Sequence, residues 1–199
     1  MMNIDDVKFL YGLACFTLGL IVVSPTIAMF VSLPGGEPFS ELWLLGEEHM
    51  AEGYPFDVRE NETYRVYLGV GNHMGLSEYY RVYVKFRNQS EPLPDTLSGT
   101  PSALSPLFEY RLFVGENRTW ETLVAFSFSG VSVEGNVSRV SGVTVDGVDV
   151  FVGKTAAWDS EGSGYLYQLF FELWLYDLAS RGFRFHDRFV GLWLNMTVS

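Results

Sequence analysis

The sequence predicts an antiparallel, immunoglobulin-like β-sandwich of about seven to nine strands behind one N-terminal transmembrane helix. Three observations predict it. Phe9–Leu33 (FLYGLACFTLGLIVVSPTIAMFVSL) carries no charged residue. Beyond Pro34-Gly35-Gly36 the apolar residues recur with period two. No stretch after that break sustains a 3.6-residue period.

The uncharged run comes first. As a helix it rises roughly 37 Å, enough for a hydrocarbon core of about 30 Å. It is too long for the apolar region of a signal peptide and follows Asp5, Asp6 and Lys8 in place of a basic segment. Lys8 on one side and Glu37, Glu41, Glu47 and Glu48 on the other favour an inside N-terminus. The expected organisation is a short cytoplasmic segment (1–8), a membrane-spanning helix (9–33), a linker (34–41) and an extracytoplasmic β-domain (42–199).

The strands follow in order. In TYRVYLGV, Tyr64, Val66, Leu68 and Val70 share one face; in YRVYVKFR, Tyr80, Val82, Val84 and Phe86 alternate with Arg81, Tyr83, Lys85 and Arg87. Both read as half-buried antiparallel strands. FEYRLFV (108–114) and WETLVAFSF (120–128) continue the pattern, with weaker strands at GVSVEG, SRVSGVTV and VDVFVG and a tight turn at Asp146-Gly147. YLYQLFFELWLYD (165–177) and RFVGLWLNMTV (188–198) complete the set. Pro92, Pro94, Pro101 and Pro106 mark a long surface connection.

Leu-Trp-Leu occurs in SELWLLG, FELWLYD and GLWLNMT. On a strand this puts both leucines on one face and the Trp on the other. Trp174 and Trp193 are then candidates for a partner- or glycan-facing surface. Trp43 lies in a segment apolar on both faces, as a central strand would be. Arg65, Arg81, Lys85 and Arg87 read as a second candidate surface, basic in an otherwise acidic chain, with cross-strand acidic partners as the plainer account.

The formal charge of −11 excludes a phosphate-backbone partner, so no nucleic acid is expected. With 16% aromatic and 19% charged residues the chain must fold around a core. Cys15 is the lone cysteine, so neither a disulfide within the chain nor a cysteine zinc site can form. His49, His73 and His186 have no second ligand at metal spacing. DSEG at 159–162 lacks the acidic alternation of a calcium loop, and no nucleophile or phosphate-loop motif occurs. No enzyme activity, cofactor or metal is expected.

Five of the seven asparagines begin N-x-S/T: Asn61, Asn88, Asn117, Asn136 and Asn195. Such an excess points to N-linked glycans on an extracytoplasmic domain. The leading functional expectation is a single-pass glycosylated envelope protein, an accessory or structural subunit held in the membrane by residues 9–33 and meeting other envelope proteins. The alternatives are a subunit of an extracellular pilin-like filament, self-associating through the apolar helix, and a carbohydrate-binding surface module.

The aromatic-Leu-Leu-Gly segment at Trp43–Gly46, Tyr54-Pro55, and a polar turn and strand ending in Gly71, Asn72 and His73 resemble an archaeal membrane-protein family known as domain of unknown function 1616. NRTWE (117–121) and the late FELWLYD and GLWLNMT strands fit it as well, while Val131–Gly164 reads as an insertion. The resemblance implies an exterior β-domain at an archaeal membrane and brings no catalytic residues.

Overall fold

A computed structural model describes the backbone of residues 4–30 and 37–197, with side chains at 7–23 and 37–197. The chain divides into two compact units, Met1–Pro38 and Phe39–Ser199.

In the first unit the apolar run is helical, as α1 (Ile4–Phe30). Among the described residues, however, no helix is long and apolar enough to cross a membrane. Residues 31–33 of the expected span lie outside the described residues. The transmembrane helix is therefore corrected. With it go the membrane as a partner of residues 9–33, the membrane localisation with an inside N-terminus, and the single-pass envelope subunit.

The described residues of the second unit form ten strands: β1 (Phe39–Leu45), β2 (Asp57–Arg59), β3 (Tyr64–His73), β4 (Glu78–Asn88), β5 (Phe108–Val114), β6 (Arg118–Glu134), β7 (Val137–Val145), β8 (Val148–Ala157), β9 (Leu166–Asp177) and β10 (Gly182–Thr197). They form two five-stranded sheets, in the orders β1-β3-β6-β7-β8 and β2-β10-β9-β4-β5. All pairings are antiparallel except β10 with the short β2. The expected seven-to-nine-strand immunoglobulin-like arrangement is corrected to this five-on-five sandwich, because β2 adds a parallel edge to one sheet and the β6–β7–β8 meander widens the other.

The core follows from the alternation. Val66, Leu68 and Val70 of β3, Val82, Val84 and Phe86 of β4, and Leu169, Phe171 and Leu173 of β9 belong to one buried cluster fed by both sheets. Phe86 meets Phe128 of the opposite sheet with ring centroids 5.6 Å apart. GVSVEG, expected as a separate strand, continues β6. Gly130 at φ 61 carries the chain past Ser141, where a Cβ would come within 2.7 Å, so the strand runs on in register to Glu134.

Trp43 is not on a central strand: β1 is an edge strand, paired with β3 alone. Its second apolar face has a local cause. The indole covers Gly69, where any Cβ would sit 2.1 Å from the ring. The Pro-rich connection also differs from a free surface loop. It folds over the outer face of the β10-β9-β4 sheet, where Ser102 N–H donates to Glu172 Oε1 at 2.8 Å.

Candidate functional site

Both β1 and β10 present an edge to the same side of the sandwich. β10 pairs with β9 along most of its length, but with β2 only through Asn195–Thr197. Along the rest of that edge it faces β1 with no ladder between them. Two adjoining clefts run along this seam. One, of about 720 Å³, is lined by Phe39–Trp43, Thr96 and Asp187–Phe189. The other, of about 430 Å³, is lined by Leu42–Leu44, Tyr54–Phe56 and Val190–Trp193. Leu42 and Trp43 border both.

The second cleft is the aromatic one. Tyr54 reaches it because its hydroxyl donates to Leu44 O at 2.8 Å, tying the loop after β1 back onto the strand. Trp193 stands at the rim, 42% exposed, while its neighbours Leu192 and Leu194 are buried. Behind the indole lies the Arg87 guanidinium, 5.2 Å from the ring centroid. Arg87 is itself buried and donates to Gln168 Oε1 at 2.8 Å and to Glu91 O. Burial lowers its pKa from the usual arginine value, yet an arginine remains charged at any physiological pH. One face of Trp193 is thus braced by a fixed cation.

A buried polar chain closes the end of the seam at the first cleft. His186 Nε2 lies 3.0 Å from Ser40 Oγ, Ser40 Oγ 2.7 Å from Tyr80 OH, and Tyr80 OH 3.0 Å from Asn72 Oδ1. Asn72 sets its direction. Its Nδ2 donates to Leu76 O, Val114 O and Gly115 O, and its Oδ1 also accepts from Met74 N. The amide oxygen can only accept from Tyr80, so Tyr80 accepts from Ser40 and Ser40 accepts from His186 Nε2–H. The neutral ring is the Nε2–H tautomer, with Nδ1 unprotonated. Ser40 is therefore no activated nucleophile: its proton points at Tyr80 and the imidazole gives to it where a general base would take. The β-bulge between Phe185 and Arg188, with Asp187 at φ 52, brings the imidazole to this position.

Sequence reasoning missed this chain, although two signals were present. Asn72 falls on the inward parity of Val66, Leu68 and Val70, and Tyr80 on that of Val82 and Val84. A polar group on a core-facing parity must find a partner inside. Of the other histidines, His49 Nε2 meets Glu121 Oε1 at 2.7 Å and His73 Nδ1 meets Asn117 Oδ1 at 3.2 Å.

The four basic candidates do not form one face. Arg65 lies on β3, in the other sheet, with Glu47 at 3.8 Å. Arg81 has Glu109 at 3.5 Å and stacks over Phe183 at 4.0 Å. Lys85 is buried against Glu172 at 2.8 Å, their side chains 4% and 0% exposed. Trp174 is half-buried, donating from Nε1 to Glu172 Oε2 at 3.2 Å, with Tyr83 edge-on to its ring. Of the sequon asparagines, Asn61, Asn117 and Asn136 are exposed and Asn88 and Asn195 half-buried. At DSEG, Asp159 Oδ1 accepts from Glu161 N and Gly162 N, so the loop folds on itself. Among the described residues no three His, Cys, Asp or Glu side chains gather as a metal site.

A family model described as "Domain of unknown function (DUF1616)" matches residues 33–138, more than half of the chain. The chain belongs to this family. The DUF1616 match takes in β1 through β6, and with them Ser40, Asn72, Tyr80 and the β1 wall of both clefts; β10 lies beyond it. No curated protein matches the chain. Among solved structures, the CARDB domain of a Pyrococcus furiosus protein in complex with di-metal ions is similar at 8% identity and a TM-score of 0.41, over 83% of this chain and 94% of that one. A chain from the human zinc 2-glycoprotein–prolactin inducible protein complex is similar at 8% identity and a TM-score of 0.38, over 83% and 100%. A β-glucosidase from Listeria innocua in complex with gluconolactone follows at 13% identity and a TM-score of 0.34, over 59% of this chain and 16% of that one. These likenesses are too loose to carry an argument about what this DUF1616 chain binds.

Proposed function

We propose that the β unit is a non-catalytic carbohydrate-binding module that holds sugar in the seam between β1 and β10, with Trp193 as its stacking surface. The observation that carries the reading is Trp193 itself: a half-exposed indole, braced from behind by Arg87, at the rim of a cleft lined by Trp43, Tyr54 and Phe56. The apolar C–H face of a pyranose ring packs on such a surface, while side chains at the margin take its hydroxyls. The adjoining cleft supplies Glu41, Thr96, Asp187 and Arg188 for that purpose. Trp174, the other tryptophan candidate, is covered and tied to Glu172, so it has no part in the site. The polar chain through Ser40 spends its protons on structure, in keeping with binding without chemistry.

The test is a glycan array with the full chain, followed by calorimetry on the hits with the wild type and Trp193→Ala. Loss of a stacking contact worth about 1.5 kcal/mol weakens binding roughly tenfold. A flat array, or a hit whose affinity is unchanged in the variant, would overturn the reading.

A further inference from the structure

The five sequons are equivalent in sequence and unequal in the fold. An N-glycan is attached at the asparagine Nδ2, and the Ser or Thr two residues on is part of the acceptor signal, so both groups must reach the transferase. At three sequons at least one of them is already engaged in the fold. Asn195 Nδ2 donates to Asp57 Oδ1 at 2.8 Å and its Oδ1 accepts from Tyr165 N at 3.0 Å, while Thr197 Oγ1 donates to Val58 O at 3.1 Å. The same carboxamide presses on Gly164, where a Cβ would lie 2.0 Å from Oδ1. Asn88 Nδ2 donates to Thr155 O at 2.9 Å, and its Oδ1 accepts from Ser90 N, Ser90 Oγ and Glu91 N. Asn136 is exposed on its hairpin, but its sequon hydroxyl is not. Ser138 is 0% exposed and its Oγ meets Tyr167 OH at 2.8 Å.

Asn61 and Asn117 differ on every count. Each stands at a turn tip in the left-handed region, at φ 61 and φ 53. Each is exposed, and so are its partners Thr63 and Thr119. Among the described residues Asn61 has no side-chain hydrogen-bond partner, and Asn117 uses only Oδ1, toward His73. We infer that glycosylation acts on the folded domain and takes Asn61 and Asn117 alone, leaving Asn88, Asn136 and Asn195 as structural residues. In the transfer, Nδ2 bonds to the anomeric carbon of a lipid-phosphate-linked oligosaccharide. The bond from that carbon to the phosphate oxygen breaks, the lipid phosphate leaves with the electron pair, and Nδ2 gives up one proton. The two acceptors flank opposite ends of β3, roughly 30 Å apart at 3.3 Å per residue, and neither lines the β1–β10 clefts. The inference is independent of the carbohydrate-binding reading.

The test is glycopeptide mass spectrometry on the full chain purified from its native source. Glycan mass on the Asn61 and Asn117 peptides, with the other three unmodified, is the expected result. Glycan on Asn88, Asn136 or Asn195, or none on any of the five, overturns the inference. A second arm measures the intact mass of Asn61→Gln/Asn117→Gln. All glycan mass should disappear with the fold intact by circular dichroism, and any residual glycan mass rejects the assignment.

Discussion

Trp174 and Trp193 occupy neighbouring strands of one sheet, point out of the same face, and each stands between two buried leucines. Their surroundings differ completely. Over Trp174 the sheet is roofed: the outward Phe170 and Glu172 are fully buried, and Glu172 holds Lys85, Ser102 N and the Trp174 indole at once. Over Trp193 there is no roof, and the ring meets solvent beside the seam. Alternation along a strand decides which face a side chain takes. Whether that face is wet depends on a connection far away in sequence, here the Pro-rich segment between β4 and β5.

The most damaging way to break the contrast is to unpin the roof. Glu172→Gln removes the charge opposing Lys85 and leaves a buried ammonium facing a neutral amide. Breaking a buried pair from one side costs about 3–5 kcal/mol, and at about 2–4 °C per kcal/mol the Tm should fall by roughly 10 °C in thermal unfolding. The double variant Lys85→Met/Glu172→Leu removes both charges and should recover part of the loss. A Glu172→Gln midpoint within about 2 °C of wild type would show that the roof is open in solution.

A gentler comparison truncates the two tryptophans in turn. Trp174→Ala opens a hole against Tyr83 and Phe185 and frees Glu172 of a donor, for a cost of about 3 kcal/mol, the low end of the range for buried aromatics. Trp193→Ala removes a ring that already meets water and should cost less than about 1 kcal/mol. Urea midpoints of the two variants check the ordering. Equal losses would mean that Trp193 is a packing residue and that the seam has no free aromatic rim.

What could be read from the sequence divides along the same line. Face assignment was legible: Leu192, Leu194 and Met196 are buried and Trp193 is not, as the period-two pattern of RFVGLWLNMTV requires. Burial on the outer face was not, because nothing local to Lys85 or Glu172 says that the backbone of Ser102 will close over both. Trp43 misled for a related reason. Its apolar second face suggested a central strand, when it serves to cover Gly69, a contact that depends on β1–β3 register. The apolar run Phe9–Leu33 suggested a membrane span, but among the described residues no helix is long and apolar enough to make one. The polar chain was half legible, in the inward parity of Asn72 and Tyr80. Its far end was hidden, since the bulge that turns His186 toward Ser40 appears only in the pairing of β9 with β10.

That far end gives the smallest of the expected effects, a dependence of stability on pH. Burial lowers the pKa of His186 below its ordinary value of 6.5, Arg188 and Arg184 lower it further, and Asp187 opposes them. Ser40 and Tyr80, from the strands packed against it, are neutral partners. Because the folded-state pKa is below the unfolded one, the unfolded chain takes up the proton first. The contribution is fully present above about pH 6.5 and is lost as pH falls through the lowered folded value. The proton must add at Nδ1, since Nε2–H already serves Ser40. The bond to Ser40 therefore survives, and the loss comes from burying an imidazolium between two arginines. Asp95 and Asp177, whose pKa values are lowered first by hydrogen bonds from Ser98 and Ser180, act in a separate window below about pH 4. His186→Gln keeps a nitrogen donor for Ser40 and cannot titrate. Urea melts between pH 7.5 and 5 should show wild-type stability declining relative to that variant, and parallel curves would remove His186 as the cause.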